Sequence, residues 1–123
     1  MKILYFFIEI NKYKNKMKVV LDDEENIYKI GENKQDNWDL LNCNDEFLWL
    51  HLNSFPSCYV IIESSDVTQN MIEFAANLCK KNTKYKNVPN IKVCYTKCSN
   101  LKKGNEIGSV TFKSNRKKKT ITI

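Results

Sequence analysis

The sequence contains few of the residues on which catalytic and phosphate-binding motifs depend. Its 123 residues include three glycines and one histidine, His51. No glycine-rich phosphate loop is present, and no Cys/His or Ser/His/acid group occurs at a recognisable spacing. His51 could be a general base oriented by Asp45 or Glu46, but a structural histidine is the commoner role. We therefore predict a binding module and not an enzyme, with no cofactor and no small-molecule substrate.

The five cysteines also lack the spacing of a structural zinc site. No Cys-x-x-Cys pair occurs, and Cys94 and Cys98 have only His51 to complete a ligand set. The acidic run 22–25 lacks the spacing and the glycine of a calcium loop, which indicates a solvated turn and no metal site. An odd cysteine count in a lysine-rich chain without a secretory leader favours free thiols in the cytoplasm, or else in the nucleus.

Long hydrophobic runs are missing as well. No segment approaches the ~18 apolar residues of a transmembrane helix. The apolar opening, residues 3–10, is interrupted by Glu9 and followed by lysines, without a small-residue cleavage site. A first strand explains this segment better than a signal peptide does.

Positive charge is concentrated in the second half of the chain. Residues 1–60 carry 7 lysines and 10 acids, whereas residues 61–123 carry 13 basic residues and 4 acids. This asymmetry favours an anionic partner. Because 19 of the 20 basic residues are lysine and asparagine is also abundant, AT-rich coding remains an alternative explanation of part of the excess.

Alternating and β-branched patterns predict one α+β domain over residues 1–123, with a mostly antiparallel sheet of six to eight short strands. The predicted strands are 3–10, 17–21, 26–30, 47–52, 58–62, 91–95, 107–112 and 119–123. Residues 99–105 are predicted to form a loop that presents two lysines, and residues 114–118 a basic turn.

The central stretch, residues 47–62, is the longest apolar passage of the chain. Strand alternation places Leu48, Leu50 and Leu52 on one face and Phe47, Trp49 and His51 on the other. The leucine face indicates core. The second face either carries function or supports a packed helix.

A long helix is predicted over about 66–83, packed on one face of the sheet. Its apolar stripe comprises Val67, Met71, Phe74, Ala75 and Leu78. Asp66 with Gln69 three residues later resembles a capping box. Lysines are expected in the last turn, where cations suit the helix dipole.

A short helix is predicted over 36–43. The glycine and amides ahead of it could bind phosphate at the helix start. Asn37, however, is more typical of a cap or a loop clamp than of a ligand contact.

Six short motifs then follow one another in a fixed order. They are Gly31 with Asn37, Asp39 and Leu40; Trp49 with His51; Pro56 with Val60; Ala75-Ala76; Val93, Tyr95 and Thr96 with a Lys-Lys turn; and Gly108 with Val110. In this order the chain resembles the NFACT-R domain of the NEMF and fibronectin-binding-protein-A group. The run Ser-Asn-Leu-Lys-Lys at 99–103 resembles a stand-alone eukaryotic branch in which a coiled coil follows the domain. Three departures are Phe47 for an acid, Ser57-Cys58 for Gly-Ser, and Tyr59 for a second histidine.

The resemblance implies an RNA-binding module linked to ribosome-associated quality control or translation. The implied partners are ribosomal or transfer RNA, then the ribosome, and DNA through the same charge. Lysines would neutralise phosphates, while the aromatic side chains would stack on a base or pack beneath the site. The predicted binding residues are Lys80, Lys81, Lys84, Lys102, Lys103, Trp49, His51, Tyr59 and Asn37. The alternative is a protein-interaction domain that docks on a ribosomal or coiled-coil partner, through a strand edge or the Phe47/Trp49 surface, without RNA contact.

Overall fold

The computed structural model describes residues 6–10 and 17–123, in which nine strands and two α-helices form an α+β fold. The strands are β1 Phe6–Ile10, β2 Met17–Leu21, β3 Ile27–Ile30, β4 Leu48–Leu52, β5 Val60–Ile62, β6 Lys92–Lys97, β7 Leu101–Lys103, β8 Val110–Phe112 and β9 Lys119–Thr122. The helices are α1 Lys34–Leu40 and α2 Gln69–Lys81, and short 3₁₀ turns span Cys98–Asn100 and Asn115–Lys117.

Seven of these strands form one antiparallel sheet in the order β1-β2-β3-β5-β4-β6-β9. The remaining two, β7 and β8, pair with each other as a separate hairpin. The predicted fold class is confirmed: the sheet is antiparallel, one longer helix packs on a face, and a second helix is short. Of the predicted first strand, residues 3–5 lie outside the described residues.

The two faces of the sheet support two separate cores. On the leucine face, Leu50 and Leu52 pack against the apolar stripe of α2, which includes Met71 and Ala75. On the opposite face, Trp49 packs with residues of α1 and of the β7–β8 hairpin. Because strand side chains alternate between faces, one strand supplies both cores. The prediction of the leucine face as core is confirmed.

Both helices begin at residues other than those predicted. Thr68 caps α2, since its Oγ1 accepts a hydrogen bond from Met71 N at 3.3 Å. The predicted Asp66–Gln69 capping box is therefore wrong, because Gln69 is already the first helical residue. In α1, Asn33 is the N-cap and accepts from Asp36 N at 2.8 Å.

The predicted loop over residues 99–105 is also wrong, since it contains the 3₁₀ turn and strand β7. Leu101 is buried against the Trp49 core, while Lys102 pairs with Thr111 of β8. One buried leucine between polar residues carries too little local periodicity to predict a strand.

Candidate nucleic-acid interface

The β7–β8 hairpin is fixed over the tryptophan face of the sheet by two side chains. Trp38 of α1 donates a hydrogen bond from Nε1 to Ser109 O at 2.9 Å, and the hydroxyl of Tyr59 donates to Gly108 O. From β8, Phe112 packs edge-on against Trp49 with ring centroids 5.7 Å apart. The hairpin is therefore a covering layer with a defined position.

Trp49 lies beneath this layer and is only 1% exposed. The ring of His51 stacks parallel to it at 5.8 Å, and the ring of Tyr59 meets its edge at 5.2 Å. Tyr59 is 3% exposed, and burial raises its pKa to about 12, so the hydroxyl keeps its proton. For both residues, packing beneath the surface matches their burial, because stacking on a base would require the hairpin to move.

His51 is half-buried beside these rings and not beside a carboxylate. Burial lowers the pKa of His51, which favours the neutral ring, although a hydrogen bond with the Leu52 backbone acts in the opposite direction. The carboxylate of Glu46 instead pairs with Lys97 Nζ at 2.7 Å. The general-base arrangement considered from the sequence has no geometric support in the described residues.

The predicted lysines do not converge on one surface. The cations Lys80 and Lys81 end α2, which packs on the leucine face, whereas Lys102 and Lys103 belong to the hairpin on the opposite face. Of the helix group, Lys80 donates to Ile123 O at 3.0 Å. Lys84 follows the helix and places Nζ 5.4 Å from the ring centroid of Tyr85. The structure therefore divides the predicted cations into two groups.

One concentration of positive charge lies on the hairpin layer. Between residues 101 and 118, six basic residues accompany one acid, Glu106. We call these six side chains the hairpin surface: Lys102, Lys103, Lys113, Arg116, Lys117 and Lys118. Five of them are exposed and Lys118 is half-buried. Within the described part of the chain, none of the six forms an ion pair.

Two cations of the hairpin surface also lie over aromatic rings. Lys103 Nζ is 5.3 Å from the centroid of Trp38, and Lys118 Nζ is 4.9 Å from that of Phe112. Such contacts restrict long side chains while leaving their charge at the surface. The hairpin surface is thus supported by the same aromatic rings that dock the hairpin.

A buried amide fixes the C-terminal part of the hairpin surface. Asn100 accepts a hydrogen bond from Ser114 N and donates to Ser114 O, both at 2.9 Å, and donates to Thr96 Oγ1 at 3.1 Å. In turn, Thr96 Oγ1 donates to Lys117 O at 3.0 Å. No local sequence pattern indicates this network. Lys113, Arg116, Lys117 and Lys118 are not among the predicted site residues, although the predicted basic turn over 114–118 is the signal that points to them.

The profile of the NFACT protein RNA binding domain matches residues 9–114 of this chain. The chain belongs to that family. The predicted resemblance is therefore confirmed, and membership supports a nucleic-acid binding module. No curated protein matched the sequence.

The fold agrees with this family assignment. The C-terminal part of the fibronectin/fibrinogen-binding protein from Streptococcus suis superimposes with a TM-score of 0.79 at 23% identity. The match covers 94% of this chain and 47% of that one, so the chain spans about half the length of this relative. Among the described residues, no helix is long and apolar enough to span a membrane.

Motif positions shared with the NFACT-R family have identifiable structural roles here. Asn37 Oδ1 accepts a hydrogen bond from Tyr59 N at 3.1 Å, and Gly31 N donates to Tyr59 O at 3.1 Å. A β-carbon at Gly31 would collide with Asn37 Oδ1. Asn37 therefore clamps the segment before β5 to α1, as one of its two sequence-based interpretations predicted. It also lines a groove at this end of the sheet.

Proposed function

We propose that this NFACT-R domain binds RNA through the hairpin surface and acts in translation or ribosome-associated quality control. Ribosomal or transfer RNA is the proposed partner, and the cytoplasm, or else the nucleus, the proposed location. The observation that carries the proposal is the set of six cations, with one acid in the same stretch of sequence, on and beside the docked hairpin. Family membership supports the choice of RNA.

The composition of the hairpin surface favours binding that depends on charge more than on sequence. Five of its six cations are lysines, which act as point charges, and only Arg116 can form a planar two-point contact. Contacts with phosphates orient a nucleic acid but carry no direct sequence information. We expect similar affinities for RNAs of different sequence and a strong dependence of affinity on salt.

Titrating labelled RNA at several salt concentrations tests this proposal. Replacing Lys102 and Lys113 with glutamate should weaken binding and reduce the salt slope, by about 0.7 for each phosphate of a single strand that is no longer neutralised. The matched control, Lys86→Glu with Lys119→Glu, makes the same change in net charge outside the hairpin surface. Lys119 is the cross-strand partner of Tyr95, which packs with the α2 core, so Lys119 lies on the helix side of the sheet. A flat salt response, or equal weakening in both double variants, would contradict the proposal.

One structural feature supports the alternative function, a protein-interaction role. Strand β9 is an edge of the sheet, and edge strands can pair with an added strand. The Phe47/Trp49 surface does not support docking, because the hairpin covers Trp49. This second function would be favoured if the domain captured a ribosomal protein equally well at low and high salt and did not bind RNA.

A further inference from the structure

A groove of about 840 Å³ lies at the end of the sheet where β3 ends and β5 begins. We call it the end groove. Three lysines line it, Lys18, Lys34 and Lys84, with one acid, Glu32. Because Glu32 pairs with Lys18 at 3.3 Å, its charge is already compensated. The charge of the end groove is therefore positive and suits an anionic ligand.

One aromatic side chain, Tyr85, lines the end groove, and a second, Phe55, lies against it next to Pro56 of the lining. Tyr85, which lines the groove, packs against the α2 core, and Phe55 lies on it with ring centroids 4.3 Å apart and an interplanar angle of 31°. Thr83 anchors this segment to the end of α2, since its Oγ1 donates to Lys80 O at 2.8 Å and accepts from Tyr85 N at 3.1 Å. Phe55 is 37% exposed. An exposed aromatic ring on an anchored one provides a flat apolar surface beside the cations.

Polar groups complete the lining. Asn37 uses its Oδ1 to accept from Tyr59 N, so its amide nitrogen is the group left to donate to a ligand. Asn33 contributes a further amide to the lining, whereas the Ser57 hydroxyl already donates to Cys58 O at 3.1 Å and Asn82 Nδ2 to Leu78 O at 2.7 Å. Cations, an aromatic surface and uncharged donors together match the phosphate, base face and base edge of a nucleotide.

We propose that the end groove binds one unpaired nucleotide of single-stranded RNA, with its base stacked on Phe55 and its phosphates beside Lys34 and Lys84. This inference rests on the proposed function and adds a second contact, separate from the hairpin surface. An unpaired base is required because the base faces of a duplex are already stacked on each other. The volume of the end groove lies within the ~300–1,000 Å³ typical of ligand sites.

Substitution of Phe55 tests the stacking contact directly. Phe55→Leu keeps an apolar side chain but removes the aromatic face, so the fold is retained while stacking is abolished. Binding of a single-stranded oligonucleotide, measured by fluorescence anisotropy, should weaken about 5- to 150-fold, as expected for the removal of one stacked base. Phe55→Tyr, which keeps an aromatic ring, should bind the single strand like the unchanged protein, and duplex RNA should bind both variants equally.

Val88→Ala is the control for loss of exposed apolar surface, since Val88 is 43% exposed and has no ring that could stack on a base. If Phe55→Leu changes single-stranded binding no more than this control does, or weakens duplex and single strands alike, the inference is overturned. The proposed function then still stands, provided that Lys102→Glu with Lys113→Glu weakens binding. If that double variant also has no effect, the proposed function itself fails.

Discussion

Replacing Trp49 with alanine separates a packing role from a base-stacking role for this side chain. A buried tryptophan removes about 200 Å² from water, which corresponds to about 5 kcal/mol at 25 cal/mol per Å². The alanine side chain still buries some apolar area, so the loss is smaller than the full amount. Trp→Ala replacements in cores lower the free energy of unfolding by about 3–5 kcal/mol. No hydrogen bond is broken, because Trp49 Nε1 has no partner within the described residues. We expect Trp49→Ala to lower the free energy of unfolding by about 4 kcal/mol, which corresponds to a fall in Tm of about 15 °C for a domain of this size.

The assay combines urea unfolding, followed by circular dichroism, with RNA titration of the folded variant. Trp49→Phe keeps an aromatic ring between His51 and Phe112, so it should lose less stability and bind RNA like the unchanged protein. A packing role predicts a large loss of stability with unchanged affinity of the folded fraction. A loss below about 1 kcal/mol together with tenfold weaker RNA binding would refute the burial argument, because that pattern belongs to an accessible stacking residue.

Three further predictions concern stability. Because burial lowers the pKa of His51, stability from its neutral ring is present above its ordinary value of about 6.5 and is lost as pH falls through the lowered value. The urea midpoints at pH 7.5 and pH 5.5 should therefore differ less in His51→Phe than in the unchanged protein. The same difference in both proteins would contradict this prediction. Asp22→Asn should cost about 1–3 kcal/mol in urea unfolding, since the buried carboxylate accepts four hydrogen bonds, whereas exposed Asp23→Asn should cost almost nothing. Thr68→Ala should cost about 1 kcal/mol through loss of the α2 cap, and Asp66→Ala should not; a larger effect at Asp66 would contradict the cap assignment.

Strand β4 shows what local sequence can predict. Leucine alternates with larger side chains, and strand geometry converts this alternation into two faces without knowledge of any other element. The stripe of α2 is predictable for the same reason, since a helical period is also local. Predictions of this kind depend only on residues within one element.

The cover over the tryptophan face could not be predicted in this way. It depends on Trp38 bonding to Ser109, 71 residues away, and on a three-residue strand with one buried leucine. The sequence pattern of the Phe-Trp-His face is therefore compatible with both function and packing. The acidic turn shows a similar limit: the prediction of a solvated turn is wrong at Asp22, which is buried and accepts a hydrogen bond at 2.7 Å from the hydroxyl of Tyr28, six residues later.

The end groove contains Lys84 of the helix group and comes close to the hairpin through Lys34, which belongs to neither group of lysines. Lys84 reaches it from the segment after α2, on the leucine side of the sheet. Lys34 reaches it from α1, whose backbone approaches Gly108 of the hairpin so closely that a β-carbon there would lie 3.0 Å from Lys34 O. One strand that passes through the end groove could therefore contact cations of both groups, although no flat duplex face could cover both sides of the sheet. If this is how RNA binds, Lys84→Gln and Lys102→Gln should each reduce the salt slope for a long single strand, and only Lys102→Gln should reduce it for a duplex.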